Sequence, residues 1–336
     1  MLQRSLRNGR LAHALLLAGP QGVGKELAAG ALAARLLCHD PPADEVEPCG
    51  ACESCRLLAS GNHPDFHLIH RGLHRQHPDR TIRESKGLSL VVDVVRHFLI
   101  EPAYTSPSLG RRRVFVVRDA ERMNEAAQNA FLKTLEEPGA DVVILLESSR
   151  PAALLPTIRS RVVPIAFGRL EEQDAAAALV AAGLGAEEAA ALARWSGGAP
   201  GQALALAARG APEMRELILG VALGELLPAE AGARIWELEG EFPGKTPAAQ
   251  RRARAGTLLD VGLELWLDVE RGAAGVPPAE LAHGDRIGVL PPLPQVVRDR
   301  RMESWLLARQ DVALNLSPEA LVDRALAAAA PPAPGG

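Results

Sequence analysis

Aromatic side chains are scarce in this sequence: Phe, Tyr and Trp together make up 3% of 336 residues, and tyrosine occurs once. A core built on large flat rings is therefore excluded. With 47% hydrophobic residues, the interior must rest mainly on Ala, Leu and Val, a mixture that favours helices. Long apolar runs are also missing, and none approaches the roughly 20 residues needed to span a bilayer. Arg4, Arg7 and Arg10 before the apolar stretch Leu11–Ala18 superficially resemble a secretory leader. His13 interrupts that stretch and a phosphate-loop pattern follows at once, so a buried first strand is the better reading, and a cytoplasmic protein with no membrane partner is expected. Basic charge is not in excess either. With 37 Lys and Arg against 41 Asp and Glu, the formal charge is −4, which excludes a bulk basic field that would draw the whole chain onto nucleic acid. No carboxylate cluster is arranged for two metals, so polymerase or nuclease chemistry within the chain has no support.

A chain of this length is expected to form two or three domains, each with its own core. The run Ala14–Gly19 reads as strand into loop, and Lys25–Leu37 carries apolar residues at helical spacing. Phe66–Ile69 alternates as a strand does, whereas 71–86, polar and rich in His and Arg, reads as a loop. Helices are expected over Val91–Ile100 and Ala126–Glu137, and buried parallel strands over Val114–Val117 and Val142–Leu146. Strands alternating with helices imply a parallel sheet covered on both faces. After Phe167 the β signals stop. Ala-rich helical windows follow at Leu170–Ala182, Ala186–Trp195 and Gln202–Ala208, with a glycine-rich break at Ser196–Gly201, and a further helical block runs from about Pro212 to Ala330.

Gly19-Pro-Gln-Gly22-Val-Gly24-Lys25 fits the phosphate-binding pattern, placed between a strand and a helix as the chemistry requires. Glycines let backbone N–H groups curl around phosphates, and Lys25 offers a point charge to the terminal ones. The next position should carry the hydroxyl that holds magnesium. Here it is Glu26, a carboxylate that would crowd phosphate oxygens and could pair with Lys25 instead. The strand Val114–Val117 should end in adjacent acidic residues, one for magnesium and one to orient the attacking water. The sequence gives Asp119-Ala120-Glu121, so Ala120 occupies the water-positioning place without a usable group. The loop either binds nucleotide weakly or binds nothing, and intrinsic hydrolysis is not expected.

Cys38, Cys49, Cys52 and Cys55 are the only cysteines, and they fall in two overlapping Cys-x-x-Cys turns preceded by one more thiol. Such turns place two thiolates on one tetrahedral ion, so a closed, structural zinc site is expected, not a disulfide. With four sulfurs present, His39 and His63 read as surface residues, and His67, His70, His74 and His77 as solvated loop residues.

Ala127-Gln-Asn-Ala-Phe-Leu-Lys-Thr-Leu-Glu-Glu-Pro138 and Leu154-Leu-Pro-Thr-Ile-Arg-Ser-Arg161, together with the phosphate loop and the cysteine cluster, resemble the clamp-loader subunits of bacterial DNA polymerase III, most nearly those of delta-prime type. Asn315–Leu321 is similar to their closing helix region. The resemblance implies an α/β P-loop AAA+ domain over 1–167 with a zinc module at 38–62, a helical lid at 168–210, an all-α collar domain at 211–330 and a disordered tail at 331–336. It implies a subunit that joins gamma/tau and delta subunits in a hetero-pentamer acting on a sliding clamp and primer-template DNA. Within the polymerase holoenzyme it would lend Arg161 to a neighbour's ATP site. An arginine suits that role because its permanently charged fork can bridge phosphate oxygens. Val162 stands where the family usually has cysteine. Ser149 matches the polar sensor place, and Gly201 stands where hydrolysing relatives carry a lid arginine. A gamma/tau-type hydrolysing subunit, the alternative, would need the hydroxyl, the acidic residue and the lid arginine that are missing here.

Overall fold

The computed structural model describes residues 11–42, 47–85, 87–314 and 316–331. Arg4, Arg7, Arg10, Asn315 and the expected tail beyond Pro331 lie outside the described residues. The chain forms two compact units, 1–168 and 169–336.

Among the described residues of the first unit five strands make one parallel sheet: β1 (Ala14–Ala18), β2 (Phe66–Ile69), β3 (Arg113–Val117), β4 (Val142–Ser148) and β5 (Val163–Ala166), in the order β2-β3-β4-β1-β5. The near-continuous apolar character of the central strands follows from cover on both faces. Phe115 and Val117 pack into one hydrophobic cluster with Leu146 and Phe131, while Val114 and Val116 face the other with Leu15, Leu32 and Leu37. That second layer contains helix α1 (Lys25–Leu37), whose C-terminal end leads into the cysteine segment and the short helix α2 (Glu53–Ala59).

Helix α3 (Glu125–Glu136) covers the opposite face. Asn124 caps it, its Oδ1 accepting from the Ala127 N–H at 2.8 Å, and Ala127, Phe131 and Leu135 recur at helical spacing on its buried side. Gln128 on the same helix reaches forward: its Oε1 accepts from the Leu155 N–H at 2.8 Å and fixes the segment carrying Arg159 and Arg161. Buried Leu154 and Ile158 anchor that segment from beneath.

The sequence reading of secondary structure in this unit fails in one place and is silent in another. Residues 71–86 are not merely a loop: Arg71–Gln76 forms a 3-10 helix and Arg80–Arg83 a helical turn capped by the Asp79 side chain. Buried Leu73 holds the first turn to the sheet cluster, an apolar anchor that polar neighbours conceal in the sequence. Strand β5 also escapes sequence reading, because its four residues sit at the sheet edge, largely exposed and interrupted by Pro164.

Among its described residues the second unit is helical throughout its regular structure: α4 (Glu172–Ala181), α5 (Ala186–Trp195), α6 (Pro200–Ala208), α7 (Ala211–Leu223), α8 (Pro228–Glu237), α9 (Pro247–Ala273), α10 (Gln295–Asp311) and α11 (Pro318–Ala329), with short turns between. Small residues permit close packing here. A Cβ on Gly262 of α9 would meet the Trp305 ring of α10 at 1.9 Å, so glycine is what admits the indole. One hydrophobic cluster runs from Leu179 and Leu192 through Met214 and Leu258 to Trp305 and Leu326. No helix among the described residues is long and apolar enough to cross a membrane.

Candidate functional site: a phosphate-loop corner, an arginine segment and a cysteine cluster

The parallel register brings the C-terminal ends of β1, β3 and β4 together, where such sheets place their ligands. Gly22 and Gly24 adopt left-handed backbone at φ 77° and 94°, which the loop's curl requires. Gly19 is needed for another reason, since a Cβ there would meet the Phe167 carbonyl oxygen at 2.1 Å. Lys25 is buried, and its Nζ donates to the carbonyls of Gly19 at 2.7 Å and Pro20 at 2.5 Å. Burial holds the Lys25 ammonium below its ordinary pKa, partly offset by the carboxylates of Glu147, Glu121 and Asp119.

Glu26 does not pair with Lys25 as the sequence suggested. Its partner is Arg118, which leaves the end of β3 and crosses to the first turn of α1. Asp119 follows with φ 48°, an uncommon left-handed conformation for an aspartate, and is exposed. Ala120 is fully buried. Glu121 points elsewhere than a water-positioning group would: its Oε1 accepts from the Ser149 hydroxyl at 2.6 Å and amide at 3.2 Å. Burial opposes ionisation of Glu121, but hydrogen bonds from Ser149, from its own amide and from Ser148 together outweigh it and hold the carboxyl below its usual range. Ser149 is thereby committed within its own chain.

Glu147 was missed by sequence reasoning. It lies inside β4, 6% exposed, opposite Leu17 in the ladder, and burial pushes its pKa up while Arg118 and Lys25 pull it down. Lys25 and Arg118 thus share the corner with Glu26, Asp119, Glu121 and Glu147, a balance that is unfavourable for phosphate. An acidic residue in an otherwise apolar strand was the available signal.

At the other end of α3, Arg161 lies on the surface, its Nε on Glu136 Oε1 at 2.7 Å and its Nη1 on the Thr157 carbonyl at 3.0 Å. Arg159 is exposed and has no side-chain partner among the described residues. Val162 is buried, so the residue after the arginine serves packing. Gly201, in the first turn of α6, is exposed.

The four cysteine Sγ atoms lie within 4.8 Å of one another, with Cys38–Cys52 at 3.9 Å and Cys49–Cys55 at 4.0 Å. Tetrahedral thiolates about 2.3 Å from a zinc ion would stand about 3.8 Å apart, so the donor set fits that ion. Cys38 ends α1, Cys52 caps α2 and Cys55 sits one turn on, which is why three ligands fall at helix termini. Burial disfavours the Cys52 thiolate, yet the amides of Cys55 and His39 hold its pKa down to about 6; burial and neighbouring thiols push Cys55 up to about 12.

His39 is exposed, but His63 is not the surface residue expected. It is 5% exposed, bonded at 2.8 Å to Ser54 Oγ, which itself donates to the Leu37 carbonyl at 2.6 Å. This pair braces α2 against the end of α1. His74 and His77 are likewise buried, His74 bonding the Arg71 carbonyl at 2.7 Å and His77 lying edge-on to His97 and Phe98; His67 stacks on Phe115 at 4.8 Å. Their solvated appearance in the sequence came from polar neighbours that point outward while the rings turn in. Asp65, beside His63, is fully buried and accepts from the amides of Ser108, Leu109 and Gly110 and from Arg113. Burial opposes its ionisation, but those donors hold its pKa down to about 2.

Comparison with known proteins bears on this arrangement. A DNA polymerase III subunit delta' of Pseudomonas aeruginosa is 44% identical over 152 residues, 45% of this chain and 42% of that protein. A DNA polymerase III subunit gamma/tau of Mycobacterium tuberculosis is 35% identical over 160 residues, 48% of this chain but 25% of that one. The chain therefore matches less than half the length of these relatives. A crystal structure of a DNA polymerase III gamma subunit-related protein from Thermotoga maritima superposes with a TM-score of 0.52 at 18% identity, over 97% of this chain and 98% of that one, and establishes a shared fold. The sequence profile described as "DNA polymerase III, delta subunit" matches residues 1–171, about half of the chain. With the sheet, the loop corner and the arginine segment all inside that span, the chain belongs to this DNA polymerase III delta subunit family.

Proposed function

We propose that this chain acts as a clamp-loader subunit of delta-prime type, helping a loader built with gamma/tau and delta subunits place a sliding clamp on primed DNA in the cytoplasm. It contributes shape and one arginine, Arg161, to a neighbour's ATP site, and does not hydrolyse ATP itself. The observation that carries this reading is the Glu26–Arg118 ion pair, which occupies the place where a working site holds its metal-binding hydroxyl. Buried Ala120 and exposed Gly201 add to it. The crowd of carboxylates around Lys25 favours weak nucleotide binding or none. These same positions argue against the gamma/tau-type alternative.

The division of the second unit into lid and collar belongs to this reading, as does zinc. Cys38, Cys49, Cys52 and Cys55 would hold the ion, which supplies a structural cross-link between α1 and α2 and no catalysis. Arg161 would offset charge on a transferred phosphoryl group, an effect reaching a thousandfold or more, about 10³, in related systems.

The test is ATP turnover by the loader reconstituted from this chain and its partner subunits, with primed DNA. Arg161→Ala is expected to lower turnover at least tenfold without loss of assembly. Wild-type turnover in that variant would remove Arg161 from its role, and rapid turnover by the isolated chain would overturn the non-hydrolysing reading.

A further inference from the structure

Arg161 is not free. A guanidinium has five N–H donors. Here Nε and Nη2 both meet Glu136 Oε1, at 2.7 and 2.5 Å, while Nη1 meets the Thr157 carbonyl at 3.0 Å and Ser160 Oγ at 3.2 Å. Nε and Nη1 are thus hydrogen-bonded within the chain, and Nη2 is drawn against Glu136 in the ion pair, so each edge of the fork has at least one member engaged. Tight phosphate recognition by arginine uses two parallel N–H groups along one edge of the fork. No such edge remains open. The contrast with Arg159 is informative: two residues away on the same segment, it is exposed and unpartnered among the described residues.

We propose that Glu136 is a positioning residue for Arg161 that holds the guanidinium back, so that a phosphate must displace this carboxylate to receive the fork. The inference rests on the reading of Arg161 as an arginine lent to a neighbour. Glu136 is well placed for it. As the last residue of α3 it lies in the negative field of a helix C-terminus, where a carboxylate is unfavourable and gains from a cation. The rest of α3 cannot drift, because Phe131 and Leu135 are buried and Gln128 ties the helix to Leu155. Both members of the pair remain substantially exposed, Arg161 at 35% and Glu136 at 47%, so solvent screening keeps the hold shallow. It amounts to no more than about fivefold, enough to delay engagement until nucleotide and DNA have set the neighbouring subunit, and weak enough to be displaced.

The experiment uses the reconstituted loader, with ATP turnover measured against ATP concentration, with and without primed DNA. Glu136→Gln removes the charge while keeping the shape of an exposed side chain. It is expected to lower the KM for ATP by about two- to fivefold, with kcat on primed DNA within about twofold of wild type. Glu136→Asp restores the wild-type KM. The double variant with Arg161→Ala should behave as Arg161→Ala alone, because the carboxylate acts only through the arginine. An unchanged KM in Glu136→Gln, or a fall in kcat at constant KM, would overturn the proposal. If Arg161→Ala alone leaves turnover at wild type, it is the arginine's role that fails, a result separable from failure of the hold.

Discussion

Two corners of the first unit are made of residues suited to a metal, and they have fared differently. At the cysteine cluster all four thiols are brought together, two pairs of sulfurs close to the spacing a tetrahedral ion requires, and Ser54 and His63 brace the helices that carry them. At the phosphate loop the frame is intact, yet Glu26 has drawn Arg118 into the first turn of α1 and Glu121 is spent on Ser149. The difference teaches that a backbone scaffold and a functional constellation are kept by separate forces. Packing maintains the loop, as Gly19 against Phe167 demonstrates, whereas no packing force maintains a hydroxyl at position 26.

The comparison breaks first at the cysteines. A Cys52→Ser, Cys55→Ser double variant should lose its metal, from one ion per chain to none by elemental analysis, together with several kcal/mol of stability in a thermal melt. If metal content and melting are unchanged, the cluster is merely four thiols.

Acid sharpens the contrast, because Glu147 beside the phosphate loop responds with the opposite sign to His63 and Asp65 beside the cysteines. Burial lowers His63 from 6.5, so as pH falls below 6.5 the unfolded chain takes up the proton that the folded brace refuses, and stability declines. Asp65 adds to this lower down: its depressed pKa contributes stability above 3.8 that is lost as pH falls toward about 2. Each fully offset group changes stability by about 1.4 kcal/mol per pH unit, less for groups that solvent reaches. Glu147 runs the other way. Its pKa is raised above 4.5, so the folded state takes up the proton first and the corner is relieved as pH falls through that raised value. Amide-exchange protection, corrected for intrinsic rates, should therefore fall in 53–69 before it falls in β4. Simultaneous loss in both would contradict these assignments.

The smallest effect concerns position 26. Glu26→Thr removes a carboxylate from the phosphate site and frees Arg118, and should raise affinity for magnesium nucleotide by about tenfold in a fluorescent-nucleotide titration. Equal affinity in wild type would mean that the corner still serves a ligand.

Much of this was legible in the sequence wherever the signal was local. The cysteine spacing, the glycine loop and the apolar strands Val114–Val117 and Val142–Leu146 each lie within a few residues, and the structure brings the four thiols together. What escaped was set by distant partners. Arg118 meets Glu26, Glu121 meets Ser149 and Arg161 meets Glu136 across the fold, and none of these pairings has a sequence period. His63, His74 and His77 were misread for the same reason: burial of a polar ring depends on which turn it caps, and polar neighbours hide that.

Gly19 has one more consequence, for anyone screening variants of such chains. Because the Phe167 carbonyl fills the space where a side chain would go, substitutions at position 19 will be rejected whatever the status of ATP. Intolerance there measures steric fit between a loop and an edge strand, and a deep mutational scan that scored it as proof of nucleotide use would be counting the wrong quantity.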